Sequence, residues 1–500
     1  MLGETQVPHF IDGLYEKLIE GGVVYFFPSA KFESLGRHPG TAQQAMSLKT
    51  GHNSLTIDWL GTTCSLTRDE PFSDSEIRLL NSIGAVLGAR YRMIRDADRV
   101  EQRFELFRGL PEDRYVSAYI DGVPYREPVW KGPDRLEDAI EVLRTTSLST
   151  YENRRISTGV LLFGKMPDAC HELPAKPPGA LRYSPALTSI RTFYRLCNGL
   201  QTLALVDENG FLAEIVDVEE WAQAYSGIPL PVPSAALYQI HSRATLCGGH
   251  VCMILTPNGE MKIIADGVQI FRFWDGRWRL TDAERKYRLW TDAVGNSELA
   301  ERLFLAALNL AEERRGGLLV VLDDPRSARK LVSSTDLVNR LPDRSQEGIA
   351  STKDQLHYLL HQKRVLDVPV SVLETIARID GAIVLDQDSN LLAFGAILRH
   401  RDLADLHPEN IEGGRTTAAI AASEFGNVLK VSEDGRFIFP KGQMRLGPIV
   451  WFARARRTKL TTSEKGDAGS VSKMSILSRD CRQRTTVFWS KIQTVITTRK

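Results

Sequence analysis

No apolar run in this chain of 500 residues approaches the ~20 residues that a membrane-spanning helix requires, so stable membrane insertion is not expected. Cysteine is scarce: the six present (Cys64, Cys170, Cys197, Cys247, Cys252, Cys481) are scattered, which argues against a disulfide framework and suits a reducing compartment. The opening stretch MLGETQVPHFIDGLYEKLIE carries acids early and lacks the apolar core of a secretory signal, so a cytoplasmic location is expected. Several familiar signatures are also missing: a Walker A loop, a Gly-x-Gly-x-x-Gly turn after a strand, a His-Glu-x-x-His helix and a Gly-x-Ser-x-Gly elbow. The commonest routes to nucleotide binding, zinc hydrolysis and serine hydrolysis are thereby set aside.

What is present is a globular composition, 43% hydrophobic and 25% charged with a formal net charge of +1. A chain this long exceeds one core and implies two to four domains. The neutral total hides an asymmetry. Residues 456–500 hold eleven Lys/Arg against three Asp/Glu, a net of +8, which leaves −7 for the rest. The first half of that tail, TKLTTSEKGDAGSVSKMS, reads as disordered chain. Its end, TTVFWSKIQTVITTRK, sets Phe488, Ile492, Val495 and Ile496 on one helical face.

Periodicity divides the chain. In PFSDSEIRLLNSIGAVLGARYRMI, Ser73 and Glu76 form a capping box ahead of apolar residues at helical spacing. That phrase resembles the closing helix of a GAF-type sensor, and residues 1–98 are read as a small α/β domain. Residues 99–184 read as a helix-rich segment followed by a Pro-rich linker, KMPDACHELPAKPPGALRYSP. Residues 185–297 read as an α+β domain whose antiparallel meander turns at Asn258-Gly259, Asp266-Gly267 and Asp275-Gly276. Residues 298–455 alternate helix and strand, as expected of an α/β domain with a mixed sheet. Residues 456–500 form the basic tail.

Two local patterns have ordinary explanations. CGGHVC offers Cys247, His250 and Cys252 as soft ligands, but it lacks a fourth ligand and leads into a strand, so buried cysteines are the simpler account. FRFWDGRWRL interleaves arginines with aromatics. One buried and one solvated strand face explains this without nucleic acid.

The segment after residue 298 holds four features in order: RGGLLVVLDD, IDGAIVLDQDSNLLAFGAIL, EGGRTTAAIAAS and VLKVSEDGRFIF. Asp380, Gly381 and Ala382 open a strand although Asp and Gly are depleted in strands. Either the chain bends there or something large lies against its backbone. Together the four features resemble the diadenylate cyclase domain, the module of the DNA integrity scanning protein and of membrane cyclases.

The resemblance implies condensation of two ATP to cyclic di-AMP and pyrophosphate by a homo-oligomer with face-to-face cyclase domains, assisted by Mg2+ or Mn2+. It implies that Asp380 orients or deprotonates a ribose 3′-hydroxyl, directly or through a metal shared with Glu433. Gly381 and Ala382 would let the nucleotide approach the backbone, and Leu398 would offer backbone groups to adenine. Ser432 and Glu433 would lie near the phosphates or the ion. The family's Arg-His-Arg is represented by Gly413, Gly414 and Arg415, followed by Thr416 and Thr417. Two glycines at a helix start still make an anion cradle, but the lost charge leaves an alternative: a catalytically degenerate module that binds a nucleotide or cyclic dinucleotide. The N-terminal part would then be a sensor. A third reading assigns nucleic-acid contact to the basic tail.

Overall fold

The computed structural model describes residues 6–37, 46–95, 106–122, 125, 134–151, 153–166, 168, 170–175, 179–190, 193–338, 357–399, 414–432, 443–446 and 449–452. They form an α/β and α+β arrangement built on three main sheets. Among the described residues no helix is long and apolar enough to cross a membrane. The basic tail lies outside the described residues.

The first sheet is antiparallel, with strands β1 (Lys31–Arg37), β2 (Ser47–Thr50), β3 (Ser54–Trp59) and β4 (Thr62–Thr67) in the order β1-β4-β3-β2. Helices α1 (Gln6–Phe26) and α2 (Asp74–Arg95) share its core. The capping box forms as the sequence implies: the Ser73 N–H donates to Glu76 Oε2 at 2.8 Å, and the Glu76 N–H to Ser73 Oγ at 3.2 Å. Helices α3 (Pro111–Ile120) and α4 (Arg135–Ser147) join the same cluster.

The second sheet has seven strands: β5 (Thr158–Leu162), β6 (Thr202–Val206), β7 (Leu212–Asp217), β8 (Val251–Leu255), β9 (Met261–Ala265), β10 (Val268–Trp274) and β11 (Arg277–Leu280). Their spatial order is β11-β10-β9-β8-β5-β6-β7. The meander turns as its Asp-Gly pairs require. Asp266 and Gly267 have φ of 53° and 78°, and Asp275 and Gly276 have 52° and 73°, the left-handed pair of a type I′ hairpin. The sheet differs from the sequence reading at its centre. Strand β5, from the segment taken as helix and linker, pairs with β8 on one side and runs parallel to β6 on the other. Five buried residues make β5, but a run that short has no periodicity to separate it from a buried helical turn.

Helices α5 (Ala283–Val294) and α6 (Ser297–Glu312) are separated by Gly295 in the left-handed region, with Asn296 capping α6 through its side chain. Helix α6 leads to the third sheet: β12 (Gly317–Leu322), β13 (Ala382–Asp386), β14 (Leu391–Ala396), β15 (Gly426–Val431), β16 (Gln443–Leu446) and β17 (Ile449–Phe452). The order is β14-β13-β12-β15-β17-β16, with β12 and β13 parallel and every other pair antiparallel. All six residues of β12 are buried because both faces are covered. Leu319 and Val321 pack toward α6 and α7 (Val370–Ala377), while Leu318, Val320 and Leu322 share a cluster with α8 (Gly414–Ala422).

Candidate functional site

Register places the candidate residues. Ala382 begins β13 and pairs with Ala396, near the end of β14. Gly317 begins β12 and pairs with Val431, the end of β15. With β12 and β13 parallel, Asp380, Leu398 and Ser432 therefore flank one end of the third sheet. Helix α8 precedes β15 and runs back along it, which brings Gly414, Arg415, Thr416 and Thr417 to that end. Side chains close the arrangement: Arg415 Nη2 lies 3.5 Å from Asp380 Oδ1, and Lys430 Nζ donates to Thr416 Oγ1 at 2.6 Å. Gly413 and Glu433 lie outside the described residues.

The residues brought together play different parts. The Asp380 side chain is 88% exposed, whereas that of Arg415 is 34% exposed. Gly414 is exposed, and a Cβ there would meet nothing within 4 Å. Thr416 and Ser432 are buried, and Thr417 is half-buried. Leu398 and Ala382 are buried in the cluster shared with α8.

Gly381 departs from the expectation that a nucleotide needs its space. Its φ is +114°, and a Cβ would stand 2.6 Å from the Gly395 carbonyl carbon and 2.7 Å from the Ala396 nitrogen. The backbone of the neighbouring strand occupies the gap, and the β13–β14 pairing shifts register between Ala382 and Val384. Thus the Asp-Gly-Ala opening is a bend with close strand packing, and the bend delivers Asp380 to the surface.

Lys430 was not singled out from the sequence. It is 3% exposed, and an ammonium buried to that degree requires polar partners. In GNVLKVS a two-residue period puts Val428, Lys430 and Ser432 on one face, but only the structure shows that this face meets α8. Arg415, Lys430 and the N-terminal amides of α8 concentrate positive potential at this end of the sheet. The arrangement can hold a polyanion beside an exposed carboxylate.

The CGGHVC segment resolves differently. His250 Nδ1 accepts from the Gly164 N–H at 2.9 Å, so Nε2 carries the proton toward Asp168 Oδ2, also at 2.9 Å. Both ring nitrogens are committed, and burial holds the imidazole below its ordinary pKa. Burial raises the Asp168 carboxyl, but hydrogen bonds from Tyr225 and His250 outweigh it and keep the group ionised. The acidic cluster of Glu137, Asp138 and Glu141 is engaged by Arg114, Arg182 and Arg108 respectively. In FRFWDGRWRL, Phe271 and Trp278 are buried, with Trp278 Nε1 donating to Asp113 at 2.7 Å, so those rings belong to the core.

No family model and no curated protein matches the chain. Among solved structures it is similar to the hypothetical membrane spanning protein from Bacillus cereus, at 20% identity over 34% of this chain and 70% of that one, with a TM-score of 0.22. A superposition that loose bears on neither fold nor function.

Proposed function

We propose that the end of the third sheet binds ATP and that the chain is a diadenylate cyclase, joining two ATP into cyclic di-AMP with release of two pyrophosphates. The observation that carries this reading is the meeting of Asp380 and Arg415, residues 35 positions apart, at one sheet end. In the proposed reaction each ribose 3′-oxygen forms a bond to the other nucleotide's α-phosphorus as the bond to the β-phosphate oxygen breaks. Alignment and charge stabilisation govern such a step. Asp380 is placed to orient the hydroxyl and take its proton. Its exposure suits a nucleotide presented by a second, facing protomer. Arg415, Lys430 and the α8 amides face the developing negative charge. Asp380 is a hard oxygen donor, and Mg2+ is commonly held by one or two carboxylates together with substrate phosphates, so Asp380 fits a divalent ion arriving with the nucleotide. Such an ion, when bound, supplies screening of the leaving pyrophosphate.

One observation favours a second reading. Gly413 and Gly414 stand where the family has an arginine and a histidine, and one lost electrostatic contact of this kind costs on the order of 10² to 10³ in rate. The alternative is a module that binds ATP or a cyclic dinucleotide without turnover. Incubation with labelled ATP and Mn2+ or Mg2+ separates the two. The cyclase reading expects cyclic di-AMP from the unmodified chain and none from Asp380→Asn. Calorimetric ATP binding with no product under either metal transfers the assignment to the binding module.

A further inference from the structure

A cavity of about 70 Å³ lies between the second sheet and helix α6. A bound water takes about 10–15 Å³ on this measure, so there is room for roughly five water-sized units. Part of the wall is apolar: Phe304, Leu308 and Ala311 follow at helical spacing along α6, and Val268 of β10 adds to them.

The polar part of the wall gathers around one buried ammonium. Lys262 is 0% exposed. Its Nζ donates to Glu312 Oε1 at 2.7 Å and to Gln269 Oε1 at 3.4 Å, and it stands 4.7 Å from the centre of the Tyr238 ring. Glu312, Gln269 and Tyr238 line the cavity from α6, β10 and the segment 232–242 respectively. Each keeps a hydrogen-bonding function unused among the described residues. Glu312 accepts through Oε1, which leaves Oε2 as an acceptor. Gln269 spends its oxygen on Lys262, which leaves its amide N–H groups as donors. The Tyr238 hydroxyl makes no hydrogen bond there, although the residue is only 5% exposed. Burial raises its pKa, and the Glu312 and Glu260 carboxylates raise it further, which sets the hydroxyl at the charged end of the cavity. Unpaired buried polar groups are costly. Water can meet such groups, but not the apolar face of α6 beside them.

Charge narrows the class of occupant. The largely buried ions here are Lys262 and Arg272 against Glu260 and Glu312, and Arg272 is spent on Glu260 through Nε at 3.0 Å and Nη2 at 2.7 Å. These four balance, so an ionic ligand would carry an uncompensated charge into the interior. A neutral ligand carries none. The two donors and the acceptor come from three separate elements, which suits a ligand whose acceptor and donor lie on different atoms. A primary carboxamide has that form: its carbonyl oxygen accepts two hydrogen bonds, and its nitrogen donates.

We propose that this cavity binds a small, neutral primary carboxamide. Its carbonyl oxygen accepts from Tyr238 and Gln269, its N–H donates to Glu312 Oε2, and its short alkyl group packs against Phe304, Leu308 and Ala311. None of these residues belongs to the proposed ATP site, so occupancy is measured without reference to ATP turnover.

The test is an NMR titration of the full chain with propionamide, set against three molecules of similar size: propionate, 2-butanone and 2-butanol. Saturable one-to-one binding of propionamide is expected. The ketone keeps the acceptor and loses the donor, so it should bind about tenfold to a hundredfold weaker, the worth of a hydrogen bond to a charged group. The alcohol puts both functions on one atom and should bind about tenfold weaker. Propionate sets a second carboxylate beside Glu312 and should not bind where the amide saturates. Tyr238→Phe removes a hydroxyl without a partner in the free chain, so it should leave urea unfolding unchanged while weakening propionamide by up to about tenfold. Ala311→Phe fills the cavity and should abolish binding. No saturable binding of propionamide means a cavity for water only and overturns the site. Equal binding of the ketone, the alcohol or propionate overturns the carboxamide. Undiminished binding to a folded Tyr238→Phe or Ala311→Phe chain overturns the placement of the ligand in this cavity. The comparison of ligands uses the unmodified chain, so it decides the matter even where a variant does not fold.

Discussion

Two lysines buried in strands, Lys262 in the second sheet and Lys430 in the third, show how differently one residue type is used in two regions of this chain. Lys262 is fully enclosed against the Glu312 carboxylate, stands 4.7 Å over the Tyr238 ring, and has Glu260 within 4.0 Å. Burial pulls its pKa below the ordinary range, and Glu312 opposes that fall. Burial pushes the Glu260 carboxyl up, but Arg272 and Lys262 outweigh it and hold the group below its usual value. Lys430 instead donates to a hydroxyl in the first turn of α8, the positive end of a helix dipole, where a cation is disfavoured. The first lysine sits within a carboxylate network, whereas the second lies beside the N-terminus of α8, at the nucleotide site proposed above. Placement of a buried charge relative to carboxylates and helix ends separates a staple from a site.

The contrast can be broken by exchanging each lysine for methionine. Lys262→Met takes the ammonium away from the Glu312 carboxylate, while Glu260 keeps Arg272, and should cost about 3–5 kcal/mol of stability, read by urea unfolding, with a second change, Glu312→Leu, restoring part of it. An unchanged urea midpoint for Lys262→Met would remove the staple from the comparison. On the cyclase reading, Lys430→Met should lower ATP turnover on the order of 10² to 10³, the change that separates it from Lys262→Met. Unaltered ATP affinity and product formation in that variant would make Lys430 a second structural lysine.

Acid should act on the second-sheet region in its own window. His241 is fully buried, donates from Nε2 to the Gly199 carbonyl at 3.0 Å, and has no partner at Nδ1 among the described residues. Burial lowers its pKa from 6.5 to about 4. The unfolded chain takes up a proton as pH falls through 6.5 and the native state does not until about 4, so this stability is present above that window and lost on descending it. The loss should reach roughly 3 kcal/mol at most, and His241→Gln should flatten the pH dependence of the urea midpoint between those limits. The smallest effect concerns the third sheet. Gly381→Ala must adopt a positive φ and displace the β14 backbone, costing about 1–3 kcal/mol; a substitution without effect on the thermal midpoint would return that position to the ligand.

Much of the local structure was legible because it rests on neighbours in the chain. The Ser73–Glu76 box and the Asp-Gly hairpins each depend on bonds spanning a few residues. At the candidate site, Asp380 and Arg415 were legible through the order of the surrounding motifs. Lys430 was passed over because a lone lysine in an apolar strand has no meaning until the opposing helix is known. Gly381 was read toward a ligand because a missing side chain records that space is filled, and not by what.

By itself the sequence determined where helices cap, where strands turn and which stretches are apolar enough to be covered on both faces, since these follow from steric and hydrogen-bonding preferences within a turn or two. Only the tertiary structure decided that β5 belongs at the centre of the second sheet, that Gly381 yields to β14, and that Lys262 finds Glu312 fifty residues away. Those outcomes depend on pairings between distant segments, whose free energy arises from burial and charge compensation across the assembled core and is written in no single stretch of chain.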